Sequence, residues 1–385
     1  LTYEDVTNID SVGIITANTG INVVANGINV QAGILTAKNI IDASDAQYNT
    51  RVGTNAGNSF DGTTATKNTL IGYDAGTAIT TGDDNTAVGY NVLTANTTGA
   101  RNTAFGSGAL VTATTANNNS AFGYNALTAN TTGDANNAFG KSALDANTTG
   151  ANNTAMGHNA LGANTTGSNN TSFGYQSLVA NTTASNNTAV GHLSLKTTTT
   201  GANNTAVGLK ALADTTVSDN TAVGAYALEA NTTGVKNIGI GVSALTANTT
   251  AGANTAIGYL ALSAVTTNSN NTALGYEALK VNTAASNTGL GCYALQDNTT
   301  GYNNVAVGAE SLVNCTTGYS NTAVGKDALY TITTSTHNVA VGKDALKLDT
   351  TGASNVAVGS ESLDACTTGS SNTALGTSAL GALTT

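Results

Sequence analysis

The sequence predicts an all-β fold, a β-solenoid of about nineteen coils, and three observations carry that expectation. A 17-residue unit recurs along most of the 385-residue chain, marked by glycines at 72, 89, 106, 123, 140, 157, 174, 191, 208, 224, 241, 258, 275, 291, 308, 325, 342, 359 and 376. Only the intervals 208 to 224 and 275 to 291 are 16 residues long. The residue before the glycine is apolar in every copy, and Leu stands four places after it in eighteen consecutive copies from Leu93 to Leu380. The chain has no Pro, and the run before each glycine is short and β-branched, as in Thr86-Ala-Val-Gly89, which suits a strand and is too short for a helix. Short units that cannot bury a core alone do so by stacking.

With the glycine as position zero, the nineteen copies sample each site many times in one environment. Position −1 holds Ile71, Val88, Phe105, Phe122, Phe139, Met156 and Phe173, then Val, Ile or Leu to Leu375. Position −3 is mostly Thr, replaced by Ile238, Val305, Val339 and Val356. Both are expected to point inward, as the two-residue period of a strand allows. Position −2 then faces outward, yet it is Ala, Ser or Gly from Ala87 to Ala374. Universal smallness on an outer face implies close approach by something else. A second and third copy of the chain are the expected partner, in a parallel homotrimer; local crowding in a narrow coil, or a flat ligand-facing surface, are the alternatives.

Position +7 is Asn96, Asn130, Asn147, Asn164, Asn181, Asn231, Asn248, Asn282 and Asn298, but also Val265, Cys315, Ile332, Cys366 and Leu383. A site that accepts Asn or an aliphatic is buried, so these Asn are expected to form an internal amide ladder. Burial also weighs against glycosylation of the Asn-Thr-Thr sequons. A second Asn, at −4 in all nineteen copies from Asn68 to Asn372, never becomes apolar and reads as a turn with left-handed or side-chain-bonded backbone. The glycine itself fits another corner. One coil is therefore two or three short strands with corners, and the stack a rod about 85–90 Å long.

Residues 1–50 differ: short β-type runs such as Val12-Gly-Ile-Ile-Thr-Ala17, broken by Gly and Asn, suggest an N-terminal β neck or shaft. Residues 51–67 are transitional, with Arg51-Val-Gly53 a degenerate first copy, and 68–385 form the solenoid. Because the chain starts at Leu1 and stops inside a repeat, it reads as a piece of a longer protein, and the lack of a signal peptide says little.

Composition excludes more than it selects. With 12 Lys and Arg against 22 Asp and Glu, and a net charge of −10, nucleic acid is not an expected partner, since phosphate binding needs clustered cations. No apolar run approaches a membrane span. Cys315 and Cys366 share a repeat position three turns apart, too far to bridge, and Cys292 sits elsewhere in the repeat. His158, His192 and His337 lack companions at ligand spacing. No nucleophile elbow, phosphate loop or carboxylate pair appears, so neither catalysis, a metal nor a cofactor is expected. Tyr73, Tyr90, Tyr124, Tyr175, Tyr259 and Tyr276 share position +1 and are candidate glycan contacts through their ring faces. The Thr-Thr column raises ice binding, but adjacent Thr side chains point to opposite sides, leaving one displayed per turn.

The repeat Asn-Thr-Ala-Val-Gly-Tyr-x-Ala-Leu-x-x-Asn-Thr-Thr-Gly resembles arrays in bacteriophage and giant-virus fibre proteins and in bacterial surface proteins. Tyr3-Glu-Asp-Val-Thr-Asn-Ile-Asp-Ser-Val-Gly-Ile-Ile-Thr-Ala17 looks like segments of marine cyanophage structural proteins. The strand is also similar to the head repeat of trimeric autotransporter adhesins, whose unit is shorter. These resemblances imply a virion tail fibre, a rigid homotrimeric spacer for host attachment, associated with other virion proteins and touching a host-surface glycan or receptor. A bacterial trimeric adhesin and a self-stacking extracellular filament are the alternatives. Fibre arrays of this kind often precede a self-cleaving chaperone domain, whose catalytic residues have no counterpart here.

Overall fold

A computed structural model of the chain describes residues 47–60 and 62–385; the β-neck expectation falls almost wholly outside them. The described residues form a parallel β-solenoid of twenty strands, each three residues long, from β1 (Thr50–Val52) and β2 (Thr69–Ile71) to β20 (Thr373–Leu375). Each strand pairs in parallel with the next in sequence, and equivalent repeat positions face each other, as in Thr86↔Thr103, Ala87↔Ala104 and Val88↔Phe105. The register survives the 16-residue coils, where Thr205 still meets Thr221. β1 pairs with β2, so Thr50–Val52 is the first strand of the stack among the described residues. Nineteen spacings of ~4.8 Å give a rod of about 90 Å.

The coil of Gly140 shows how the unit folds. Asn137–Phe139 is the strand, and Gly140 follows at φ 139°. A Cβ built on Gly140 would lie 2.6 Å from the carbonyl oxygen of Gly157 in the next coil, so both backbone and space require glycine here. Ser142 and Leu144 then adopt left-handed backbone, φ 54° and 52°, and Asn152 does so again before the next strand, at φ 59°. These left-handed residues turn the chain where one or two further strands were expected; one strand per coil is present. The turns are nonetheless bonded coil to coil: the amides of Ser142, Leu144 and Thr148 donate to the carbonyls of Tyr124, Ala160 and Thr165. Every segment thus satisfies its backbone groups against a neighbour.

The direction of the strand is the reverse of the sequence expectation. Position −2 points inward, and Ala87, Ala104, Ala121 and their equivalents are fully buried, while no −1 residue is buried. The reason is the width of the coil. The +4 leucines, all fully buried from Leu93 to Leu363, reach across to the inner face of the strand. At Gly239, an added Cβ would already lie 3.2 Å from Leu228 Cγ, so a side chain no larger than Ala or Ser172 fits opposite a leucine, and the larger Leu70 stands in the coil where Gly76 replaces that leucine. The small column is the core of each chain, and local crowding accounts for it. It is not an interface between copies.

Both Asn columns are internal. At position +7, Asn147, Asn164 and Asn181 each donate Nδ2 to the Oδ1 of the preceding rung, at 2.8, 2.7 and 2.8 Å, and Asn147 and Asn164 also reach the carbonyls of Gly150 and Gly167. The −4 column, read from sequence as a turn, is a second buried ladder. Asn153 Oδ1 accepts from the Asn170 amide at 2.9 Å, and Asn153 Nδ2 donates to Gly167 O at 2.8 Å. The left-handed residue is its neighbour at −5, such as Asn152. The Asn153 side chain therefore bonds a carbonyl and an amide three residues apart in the next coil, which explains why no aliphatic ever replaces the −4 Asn.

Candidate functional surfaces

Because the alanines point inward, positions −3 and −1 form the outer face of a continuous parallel sheet. The −3 column is Thr, Ser, Asn, Ile or Val, the −1 column is apolar throughout, and from β2 to β20 neither contains a charged residue. All the net charge of the rod lies on its other sides. Within the −1 column, Phe105, Phe122 and Phe139 stack with centroids 5.1 and 4.8 Å apart. Ile71, Phe105, Met156, Ile240 and Leu274 are among its exposed members. Two columns over ~90 Å make a strip about 10 Å wide, on the order of 900 Å²; the apolar −1 column is about half of it, comparable with the largest apolar patch of a typical monomer. Sequence reasoning missed this face by assigning it to the core. The available signal was size tolerance: a column that accepts Val, Leu, Met and Phe has room to spare.

The tyrosines at +1 lie on the exposed corner beyond the glycine. Tyr73 and Tyr90 stack on each other at 5.6 Å, as do Tyr259 and Tyr276 at 5.3 Å. Tyr175 is sandwiched between His158 and His192, at 5.5 and 5.4 Å. Tyr124 stands between Ser107 and Lys141 in this column. Ring faces are therefore largely spent on neighbouring rungs, and the column presents mostly edges and hydroxyls outward. Face-on sugar contact, the chemistry for which these residues were singled out, is open only on outer faces of the stacks and at Tyr124. Partial desolvation and the adjacent Glu277 carboxylate raise the Tyr276 phenol above its usual range.

The Thr-Thr turn divides its labour. The first hydroxyl donates to the next coil, as Thr97 Oγ1 does to Thr114 O at 3.1 Å, while the second, such as Thr98, is exposed. Cys315 and Cys366 are buried and unpaired, and burial pushes the Cys315 thiol up to about 12; Cys292 is exposed. Among the described residues, no group of three or more His, Cys, Asp or Glu side chains is placed to hold a metal ion, and no helix is long and apolar enough to cross a membrane.

Compared with known proteins, the chain matches no protein-family model and no curated protein. The fold and its surfaces thus define the class, a parallel β-solenoid rod with buried Asn ladders and an uncharged sheet face.

Proposed function

We propose that the chain is the shaft of an extracellular appendage, a virion tail fibre, in which parallel copies associate through the uncharged sheet face. The fibre acts mechanically, as a stiff spacer between the particle and the host surface, and the chain itself catalyses nothing. The supporting observation is that face: it runs the length of the rod without a charge to desolvate, and its ~900 Å², shared in a trimer between two neighbours, is on the order of the ~800 Å² that a chain brings to one standard interface. Its two columns differ, one mainly hydroxyl and one apolar, so the chain offers unlike flanks to its neighbours. Unlike flanks suit a closed heterologous ring such as a trimer.

The test is the native mass of the full chain by multi-angle light scattering, with Val207→Asp on the outer face as the comparison. Three chains in the parent and one in the variant are expected. Two chains would replace the trimer by a dimer, and a monodisperse single chain in the parent would remove the reading.

A further inference from the structure

Six repeats carry an acid at position +2, and in three of them the chain supplies a counter-ion, while Asp74, Glu310 and Glu361 form no ion pair among the described residues. Glu277 meets Lys280 at 3.2 Å; Asp327 meets Lys347 at 3.3 Å; Asp344 meets Lys343 and Lys347 at 2.6 and 2.7 Å. Lys280 and Lys347 both come from position +5, three residues after the acid of their own coil. Glu310 occupies the same place, but its own +5 residue is Val313 and that of the next coil is Tyr330. Neither Glu310 nor the neighbouring Asp297 forms an ion pair among the described residues.

Beside Glu310 lies a surface cavity of about 300 Å³. Val313, nearly fully buried, is its floor, and the half-buried rings of Tyr293 and Tyr330 line it with Glu310, Asp297 and Asn314. Asn314 Nδ2 is tied to Tyr330 O at 2.8 Å, which leaves its Oδ1 as a further acceptor. The nearest amine, Lys347 Nζ, lies 5.9 Å from the Tyr330 ring centroid but is held by Asp327 and Asp344. Two carboxylates without a cation, two tyrosine rings and a free acceptor constitute a receptor for positive charge, since a cation gains from both the carboxylates and the ring quadrupoles.

We propose that this cavity binds an organic ammonium group, no larger than a hexosamine ring or a choline headgroup, in the place where the coils of Glu277 and Asp344 keep a lysine. The proposal rests on this cavity and is independent of how the chains associate. The two sources share one chemistry, a protonated or quaternary nitrogen on a small polar body, and the experiment separates them.

Glucosamine and choline are titrated into the full chain, followed by calorimetry and ligand-observed NMR. Their neutral counterparts are glucose and 3,3-dimethylbutan-1-ol. At least one ammonium probe is expected to bind about tenfold more tightly than its neutral counterpart, the ratio that one charge-assisted contact of about 1.4 kcal/mol gives. Binding of glucosamine alone assigns a sugar ligand, and binding of choline alone a headgroup. Glu310→Gln is expected to weaken binding by a similar factor, and Val313→Lys, which restores the internal lysine, to abolish it with the fold unchanged by circular dichroism. Should Val313→Lys fail to fold, the near-isosteric Glu310→Gln carries the test. Equal affinity for charged and neutral probes, no binding of either ammonium, or binding indifferent to Glu310→Gln would overturn the proposal.

Discussion

One rung of the +7 ladder is occupied by an acid, and its replacement by Asn tests the ladder as a physical object. Asp349 is fully buried, between Ile332 below and Cys366 above. Its Oδ1 accepts from the Gly352 amide at 2.8 Å, while Oδ2 accepts nothing from the protein. Burial outweighs the two backbone hydrogen bonds, and the carboxyl is raised from 3.8 to about 6. An acid whose folded value is raised binds its proton more tightly in the folded coil. Stability from this group is therefore complete below pH ~4, falls as pH rises through the interval between 3.8 and about 6, and stays low above it. A rise of about two units, at about 1.36 kcal/mol each, is roughly 3 kcal/mol; water reaching the turn beside exposed Thr350 screens part of it, leaving about 1–2 kcal/mol. Asp349→Asn removes the charge and supplies an Nδ2 that can donate to Gly352 O, as Asn298 donates to Gly301 O at 2.8 Å. Because a solenoid opens locally, the assay is amide hydrogen exchange over residues 349–356, read as the ratio of variant to parent at each pH. Protection should rise about 5- to 30-fold at pH 7.5 and be unchanged at pH 4. An equal gain at both values would locate the benefit in ladder geometry and refute the charge argument.

Three further outcomes follow from the geometry of the repeat. Leu245→Ala should cost about 2–5 kcal/mol against about 0.5 for Thr246→Ala, measured by denaturant titration; Leu245→Ile should itself cost about 1–3 kcal/mol, because Leu245 sits at φ 53°, where a β-branched side chain is strained. Gly208→Ala should cost about 3 kcal/mol or more, since the new Cβ would lie 2.5 Å from Gly224 O at φ 138°; a melting temperature within a degree of the parent would contradict it. Under native conditions a maleimide should label Cys292 alone, the exposed thiol, with Cys315 and Cys366 reacting only after denaturation.

Much of this architecture was legible from repetition. The period, the leucine core, the burial of the +7 amides and the need for glycine at position zero all emerged from comparing copies, because nineteen residues in one environment reveal what it tolerates. What could not be read was the backbone that turns the chain. The left-handed residues at −5, +2 and +4 include Asn, Ser, Lys, Glu and every core Leu, so no residue type announces them. Without those turns, the remainder of the coil looked like further strand. The +1 tyrosines were identifiable as exposed, but their stacking on one another depends on the in-register rise between coils, which residue types alone do not specify.

The inverted strand is the most informative error, because its cause also redirects the search for a partner. Apolar identity was taken to mean burial, and small size on the other parity to mean an external contact. In a wide core both inferences hold. Here the coil interior is one leucine deep, so opposite a leucine the inward strand position is limited to Gly, Ala or Ser, and larger apolar residues are left only the outside. An outside column that stays apolar through nineteen coils of a chain carrying 34 formal charges sits in an environment that water alone does not explain, since single exposed apolar residues are ordinary but a 90 Å row of them is not. The argument for association between copies therefore moves from the alanines to the valines and phenylalanines. It also becomes easier to test: Ala206→Asp should unfold the coil, whereas Val207→Asp should leave a folded, soluble single chain.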